Sequence, residues 1–193
     1  NKNWWCTSPM KIFDYLESGT PILGSCIGST AEILSDGMFI EYRPEDIDDA
    51  IDQMIQSAEM KSPLSIGYIG NIVELWERLV ERGISVDLGS DQTSLHNPFQ
   101  GGYFPVGFSY DEATSMLSDE PERFADEVRS TLRRHATAIN QMSKNGMYFW
   151  DYGNAFLLEA SRAGADVLSA DGGFRYPSYV EDIMGPLCFD YGF

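Results

Sequence analysis

Basic residues, cysteine, histidine and long apolar runs are all scarce in this sequence, and each scarcity excludes something. Its 193 residues hold 13 Lys and Arg against 30 Asp and Glu, a formal net charge of -17. Residues 1–60 carry 3 basic and 11 acidic groups and residues 61–193 carry 10 and 19, so neither part favours a polyanion. The densest basic spot is the pair Arg133-Arg134. Nucleic acids and anionic membranes need clustered Lys and Arg to displace counterions, so both are excluded as partners. The three cysteines, Cys6, Cys26 and Cys188, are far apart in sequence and match neither a disulfide framework nor a zinc spacing. With His96 and His135 as the only histidines, no metal site is expected. No run approaches the roughly 20 apolar residues of a membrane helix, and no charged-then-apolar leader opens the chain. Those features point to the cytoplasm. The chain begins at Asn1 rather than Met and stops at Phe193 inside an aromatic run, which raises the expectation of a fragment.

What is present suits a folded domain. Apolar residues at 43% and charged residues at 22% are values of a globular chain that buries a core without staples. Helix signals and short β-type runs alternate, the pattern of an α/β sheet protein. Pro9 and Gly19 bracket one helix, and a second, short one is read at residues 30–34. The stretch 45–58 sets Ile47, Ile51, Met54, Ile55 and Ala58 on one stripe behind the acids Glu45, Asp46, Asp48 and Asp49, which suit a helix N-terminus. Ile72, Leu75, Trp76, Leu79 and Val80 follow helical spacing. Further helices are predicted at 111–117, 121–144 and 154–163, and a short one at 178–184. Strands are predicted at 21–23, 38–42, 64–68, 84–88 and 147–150. The expected fold is a Rossmann-like three-layer α/β domain with a mostly parallel sheet and a loop-rich C-terminal extension.

Two local motifs carry possible chemistry. Gly67-x-x-Gly70-Asn71 lies between a strand and a helix, where backbone N–H groups at a helix start can meet a phosphate. It lacks the third glycine of the dinucleotide fingerprint, and reads equally as a ligand contact or a tight turn. The second is Asp91-Gln92-Thr93-Ser94-Leu95-His96-Asn97-Pro98, six polar or charged side chains in eight positions directly after a strand, within a loop from Gly89 to Phe108 too long for a mere connector. It reads as a ligand loop, or as a polar turn that caps itself. His135, on the apolar stripe of a helix, reads as a core or boundary histidine. The acids between Asp111 and Glu127 read as solvated helix faces, and the late aromatics as core.

Taken together, Pro63-Leu64-Ser65-Ile66-Gly67, Gly70-Asn71, Asp91-Gln92-Thr93-Ser94, His96, Pro98, Gly102-Tyr103, Trp150-Asp151-Tyr152-Gly153-Asn154 and Pro186-Leu187 resemble the urocanate hydratase (urocanase) family, from about Glu45 to the last residue. The resemblance implies a bound NAD+ that acts as an electrophile rather than a hydride carrier, with urocanate as substrate and imidazolone propionate as product, in histidine degradation. It implies NAD contacts at Asn71, Ile72, Gln92, Thr93, Ser94, Leu95, His96, Tyr103, Phe104 and Tyr152. The family's Gly-rich pyrophosphate fingerprint and its reactive cysteine have no counterpart among these residues. No catalytic residue is assigned, Cys188 included, and the chain alone is expected to be inactive. Residues 1–44 resemble instead a piece of the donor-binding domain of group 1 GT-B glycosyltransferases, at Ser8-Pro9-Met10-Lys11-Ile12-Phe13-Asp14-Tyr15-Leu16, Gly19-Thr20-Pro21-Ile22-Leu23 and Ala31-Glu32-Ile33-Leu34. The implied organisation is a glycosyltransferase-like segment (1–44), an NAD-binding region (45–165) and the start of a following region (166–193). The rival readings are a non-enzymatic chimeric scaffold or truncated product, and a glycosyltransferase fragment. Association with a second copy is left open.

Overall fold

A computed structural model describes residues 23–24, 40–62, 64, 66–91, 95–153 and 155–190. They divide into two compact units, residues 1–70 and 71–193. The helices expected at 9–19 and 30–34 lie outside the described residues.

In the first unit, strands β1 (Leu23–Gly24), β2 (Ile40–Tyr42) and β3 (Ile66–Tyr68) form a parallel sheet in the order β1-β3-β2. Leu23 and Ile40 both register with Ile66, on opposite sides of β3. The strands contributed by residues before 45 therefore pair with β3, as expected. Helix α1 (Ile47–Met60) crosses from β2 to β3, because a parallel neighbour needs a crossover of this length. It is entered by a 3₁₀ turn at Pro44–Asp46 and carries Asp48 and Asp49 in its first turn. Lys61, left-handed at φ 51°, ends it by donating its N–H to the Ala58 carbonyl. Ala50 and Ile51 of α1 and Ile66 and Tyr68 of β3 are buried. The Tyr68 ring lies against Gly70, where a Cβ would come within 2.5 Å of it, so a larger residue there would displace the ring.

The second unit begins with helix α2 (Ile72–Glu81), followed by β4 (Leu88–Asp91), a 3₁₀ turn at Pro98–Gln100, α3 (Tyr110–Asp119), α4 (Pro121–Lys144), β5 (Tyr148–Asp151) and α5 (Phe156–Arg162). A π-helical turn at Tyr179–Met184 runs into α6 (Gly185–Asp190). Strands β4 and β5 pair in parallel from Leu88 with Tyr148 to Asp91 with Asp151. The single sheet expected from the sequence is thus found, among the described residues, as two parallel sheets, one in each unit.

Helix α4 organises the second unit. Its predicted bounds, 121 to 144, are those observed. Pro121 pre-sets φ at the first position, and Phe124, Val128, Leu132, His135, Ile139 and Met142 form the predicted stripe, each buried. Helices α2, α3 and α5 and strand β5 pack against it. Ser109 and Glu112 close a reciprocal capping box at the start of α3, each side chain bonding the other's backbone N–H. The fourth predicted strand is displaced from 84–88 to Leu88–Asp91, because the N–H of Ile84 is taken by the Leu79 carbonyl in the turn that ends α2. The C-terminal extension contains α6, which was not expected there. No helix among the described residues is long and apolar enough to cross a membrane.

Truncating Leu132, fully buried on α4, is expected to cost about 2–5 kcal/mol. Removing Arg129, whose bond to Asp126 is exposed, is expected to cost less than about 1 kcal/mol. Urea denaturation of both variants measures this, and equal losses would show that the stripe does not carry the stability of the unit.

Candidate functional site

Asn71 sits at the N-cap of α2 with extended backbone angles, and its side chain works in two directions. Its Oδ1 accepts the Val73 N–H at 3.0 Å, satisfying one of the donors a helix start leaves open. Its Nδ2 donates to the Phe104 carbonyl, also at 3.0 Å. That bond joins positions 33 residues apart and brings together two stretches singled out as cofactor contacts. Ile72, next to the cap, is exposed. The Phe104 ring is half-buried against Tyr110 and Phe124.

Gln92, Thr93 and Ser94 lie outside the described residues. On their far side Leu95 is buried and His96 exposed. His96 and the 3₁₀ turn after it line a cleft of about 540 Å³ whose opposite wall is Arg129 of α4 with Glu159 and Arg162 of α5. The Arg129 guanidinium lies 4.8 Å above the Phe99 ring, and Arg162 bonds Glu159 at 2.6 Å. Tyr152, directly after β5, stacks on Tyr179 with ring centroids 5.4 Å apart.

Tyr103 is 3% exposed, and its hydroxyl lies 3.0 Å from His135 Nδ1. The Asp91 carboxylate approaches the same nitrogen at 3.6 Å. Asp91 and Asp151 register at the last positions of β4 and β5, and both are buried. The sequence passed over this grouping of Asp91, Asp151, His135 and Tyr103. Its one local signal was an Asp at the end of each of two strands, and only strand pairing makes those two neighbours.

The electrostatics of the group follow from burial. Burial lowers the His135 imidazole to about 3, against the pull of the Glu77 carboxylate in the other direction. The ring is therefore neutral near pH 7, and the approach of Asp91 is a polar contact rather than an ion pair. Burial also raises the Tyr103 phenol, with the Asp91 charge adding to the rise. The Asp151 carboxyl is raised by burial in spite of N–H groups of Gly153, Leu157 and Tyr152 that favour its charge, and Asp91 adds to the rise.

An unfolded chain would protonate His135 near 6.5 while the folded chain resists protonation until about 3. Stability is thus fully present above 6.5 and lost as pH falls toward 3, by up to about 1.4 kcal/mol per pH unit. Asp151 acts in the opposite sense, since a raised carboxyl favours the folded state on the acid side. Melting temperatures between pH 7 and 5 are expected to fall less steeply in His135→Asn, which removes the titrating ring. Parallel curves for the two proteins would rule this out.

The family description "Urocanase Rossmann-like domain" matches residues 26–183, so the family reaches into residues 26–44, which the sequence reading had set apart from it. The chain is 61% identical over 137 residues to a probable urocanate hydratase of Dictyostelium discoideum, covering 69% of the chain and 20% of that protein. It is 48% identical over 183 residues to urocanate hydratase of Mus musculus and 47% identical over 187 residues to that of Homo sapiens, covering 87% and 89% of the chain. It spans 27% and 28% of those two proteins. Because the Rossmann-like domain of that family matches most of its length, the chain belongs to the urocanase family.

Proposed function

We propose that this chain is the part of a urocanate hydratase that holds the nicotinamide end of NAD+, with urocanate as the substrate of the whole enzyme and imidazolone propionate as its product. The observation that carries the reading is the bond from Asn71 to the Phe104 carbonyl, which sets the start of α2 beside the segment after β4. Residues 45–165 carry the proposed contacts, from Asn71 to Tyr152.

The donor set fits a nicotinamide and its ribose. Asn71 uses one Nδ2 hydrogen on Phe104 and keeps the second for a ligand, beside the backbone N–H of Ile72. Gln92, Thr93, Ser94 and His96 supply amide, hydroxyl and imidazole groups directly after a strand, the end at which α/β sheets hold ligands. Leu95, between them in sequence, is buried. Tyr103 and Phe104 face a ligand through their main chain, since the Tyr103 hydroxyl lies on His135 and the Phe104 ring on Phe124. Tyr152 offers its side chain just past the end of β5. Bound there, NAD+ supplies an electrophile that draws electrons from the substrate's conjugated system. The residues of this chain bind it, orient it and shield one side of it from water.

The 193-residue chain by itself is expected to bind NAD+ weakly. Charge-assisted bonds to a pyrophosphate are each worth about 1.5–3 kcal/mol, and the Gly-rich fingerprint that makes them in this family has no counterpart among its residues. Gln92→Ala with His96→Ala is expected to abolish the binding that calorimetry detects while changing stability by no more than about 0.5 kcal/mol. Binding left intact by this pair would show that the loop is not the contact. Ultraviolet loss of urocanate with the chain and added NAD+ is expected to be nil, and turnover would overturn the view that the missing parts are needed.

A further inference from the structure

Tyr152 is the last of the cofactor contacts proposed above, and it stands one residue beyond β5, where pairing with β4 no longer fixes the backbone. Its half-buried ring lies on that of Tyr179, with centroids 5.4 Å apart and planes 8° from parallel. We propose that Tyr179 is a positioning residue for the cofactor, holding the ring of Tyr152 in the orientation in which it meets NAD+. This rests on the reading that Tyr152 contacts NAD. It gives the C-terminal segment a part in a site whose other residues all lie at or before 152.

Tyr179 stands on a held base. The Asp151 N–H donates to the Pro177 carbonyl at 2.9 Å and Asp151 bridges Ser178 in parallel, so the chain leading to Tyr179 runs along the end of β5. Just upstream, the Tyr176 hydroxyl donates to Asn140 Oδ1 of α4 at 2.6 Å, and the Tyr176 ring meets Phe149 of β5 edge-on at 5.1 Å. Downstream, Ser178 and Asp182 bond one another twice. The Ser178 N–H donates to the Asp182 carboxylate at 2.7 Å, and the Asp182 N–H donates to the Ser178 carbonyl at 2.8 Å. The Ser178 hydroxyl accepts the Glu181 N–H at 3.3 Å. These bonds cap the π-helical turn that Tyr179 opens, and single π turns are frequent at functional sites.

The two tyrosines meet because the chain after Tyr152 passes close to this turn. Gly153 has a φ of 91°, and a Cβ there would come within 2.8 Å of Val180 Cγ2. A side chain at 153 would push the turn, and Tyr179 with it, away from Tyr152. An offset face-to-face pair packs well and restricts both rings. A contact residue whose ring is already held loses less side-chain freedom when it binds, and that difference appears as affinity. A stack that only packed would stabilise the fold and leave the affinity as it is, which separates the two roles.

The test uses the full chain with Tyr179→Leu, Tyr179→Phe, Tyr152→Leu and the double variant Tyr152→Leu with Tyr179→Leu. NAD+ affinity by calorimetry is expected to fall about fivefold in Tyr179→Leu and to recover most of that loss in Tyr179→Phe, which keeps the ring. In the Tyr152→Leu background the change at 179 is expected to have no further effect, because it acts only through the ring already removed. The second readout is the set of Tyr152 ring resonances in the free chain, expected to lose their ring-current displacement in Tyr179→Leu and to keep it in Tyr179→Phe. Unchanged affinity in Tyr179→Leu, an equal loss with and without Tyr152, or no recovery in Tyr179→Phe would overturn the proposal. If Tyr179→Leu does not fold, nuclear Overhauser contacts between the two rings of the unsubstituted chain decide. Contacts present without ligand and kept on adding NAD+ support the proposal; their absence without ligand overturns it. If Tyr152→Leu binds NAD+ as tightly as the unsubstituted chain, the functional reading fails at that residue, whereas a loss in Tyr152→Leu with none in Tyr179→Leu rejects the positioning role alone. If the unsubstituted chain binds no NAD+, the functional reading fails, and the ring resonances still decide whether Tyr179 fixes Tyr152.

Discussion

The second unit depends on the burial of one face of α4. Phe124, Val128, Leu132 and Ile139 are within 1% of complete burial on that face, and α2, α3, α5 and β5 all pack on the same helix. Burying a large aliphatic or aromatic side chain contributes about 1.5–3 kcal/mol, so this stripe outweighs the exposed ion pairs along the same helix, which contribute about 1 kcal/mol at most. The helix also holds loops through its polar side chains. Arg133 donates to the Ala163 carbonyl, Asn140 to the Asp166 carbonyl, and Tyr176 reaches back to Asn140. The chain that follows α5 therefore takes its position from α4.

The candidate site inherits that rigidity. Asp91 and Asp151 stand side by side because β4 and β5 are parallel and in register, and their side chains are buried on the same face of the pair as Gly89 and Phe149. Gly89 is needed for that packing, since a Cβ there would come within 2.6 Å of Met147 and 2.9 Å of Trp76. Placing two carboxyls, a phenol and an imidazole in a buried place is costly unless they satisfy one another. Here the cost is reduced by keeping the imidazole and phenol neutral and by surrounding Asp151 with backbone N–H groups.

Several features were legible in the sequence because their cause is local. The 121–144 helix has a proline at its start, a 3.6-residue stripe and no breaker inside. The helix after Asn71 follows from the spacing of Ile72, Leu75, Trp76, Leu79 and Val80. The strand before the polar loop was displaced, because Val86 and Ile84 read as strand residues while the turn that ends α2 occupies the Ile84 N–H. The family resemblance singled out Asn71, Tyr103 and Phe104, whereas the bond between Asn71 and Phe104 belongs to tertiary packing. His135 was read as a core histidine, and it is fully buried; what periodicity could not provide was the identity of its partners.

The sequence by itself determined helices α1 to α5, the parallel α/β class and the family, because capping, periodicity and motif wording act over a few residues. Only the tertiary structure decided that Asp91 meets Asp151, that His135 lies beside Tyr103 and Asp91, and that the strands form two sheets among the described residues. Those outcomes depend on strand register and on which face of α4 meets which loop. They join residues far apart in the chain, and neighbouring residues carry no record of that pairing.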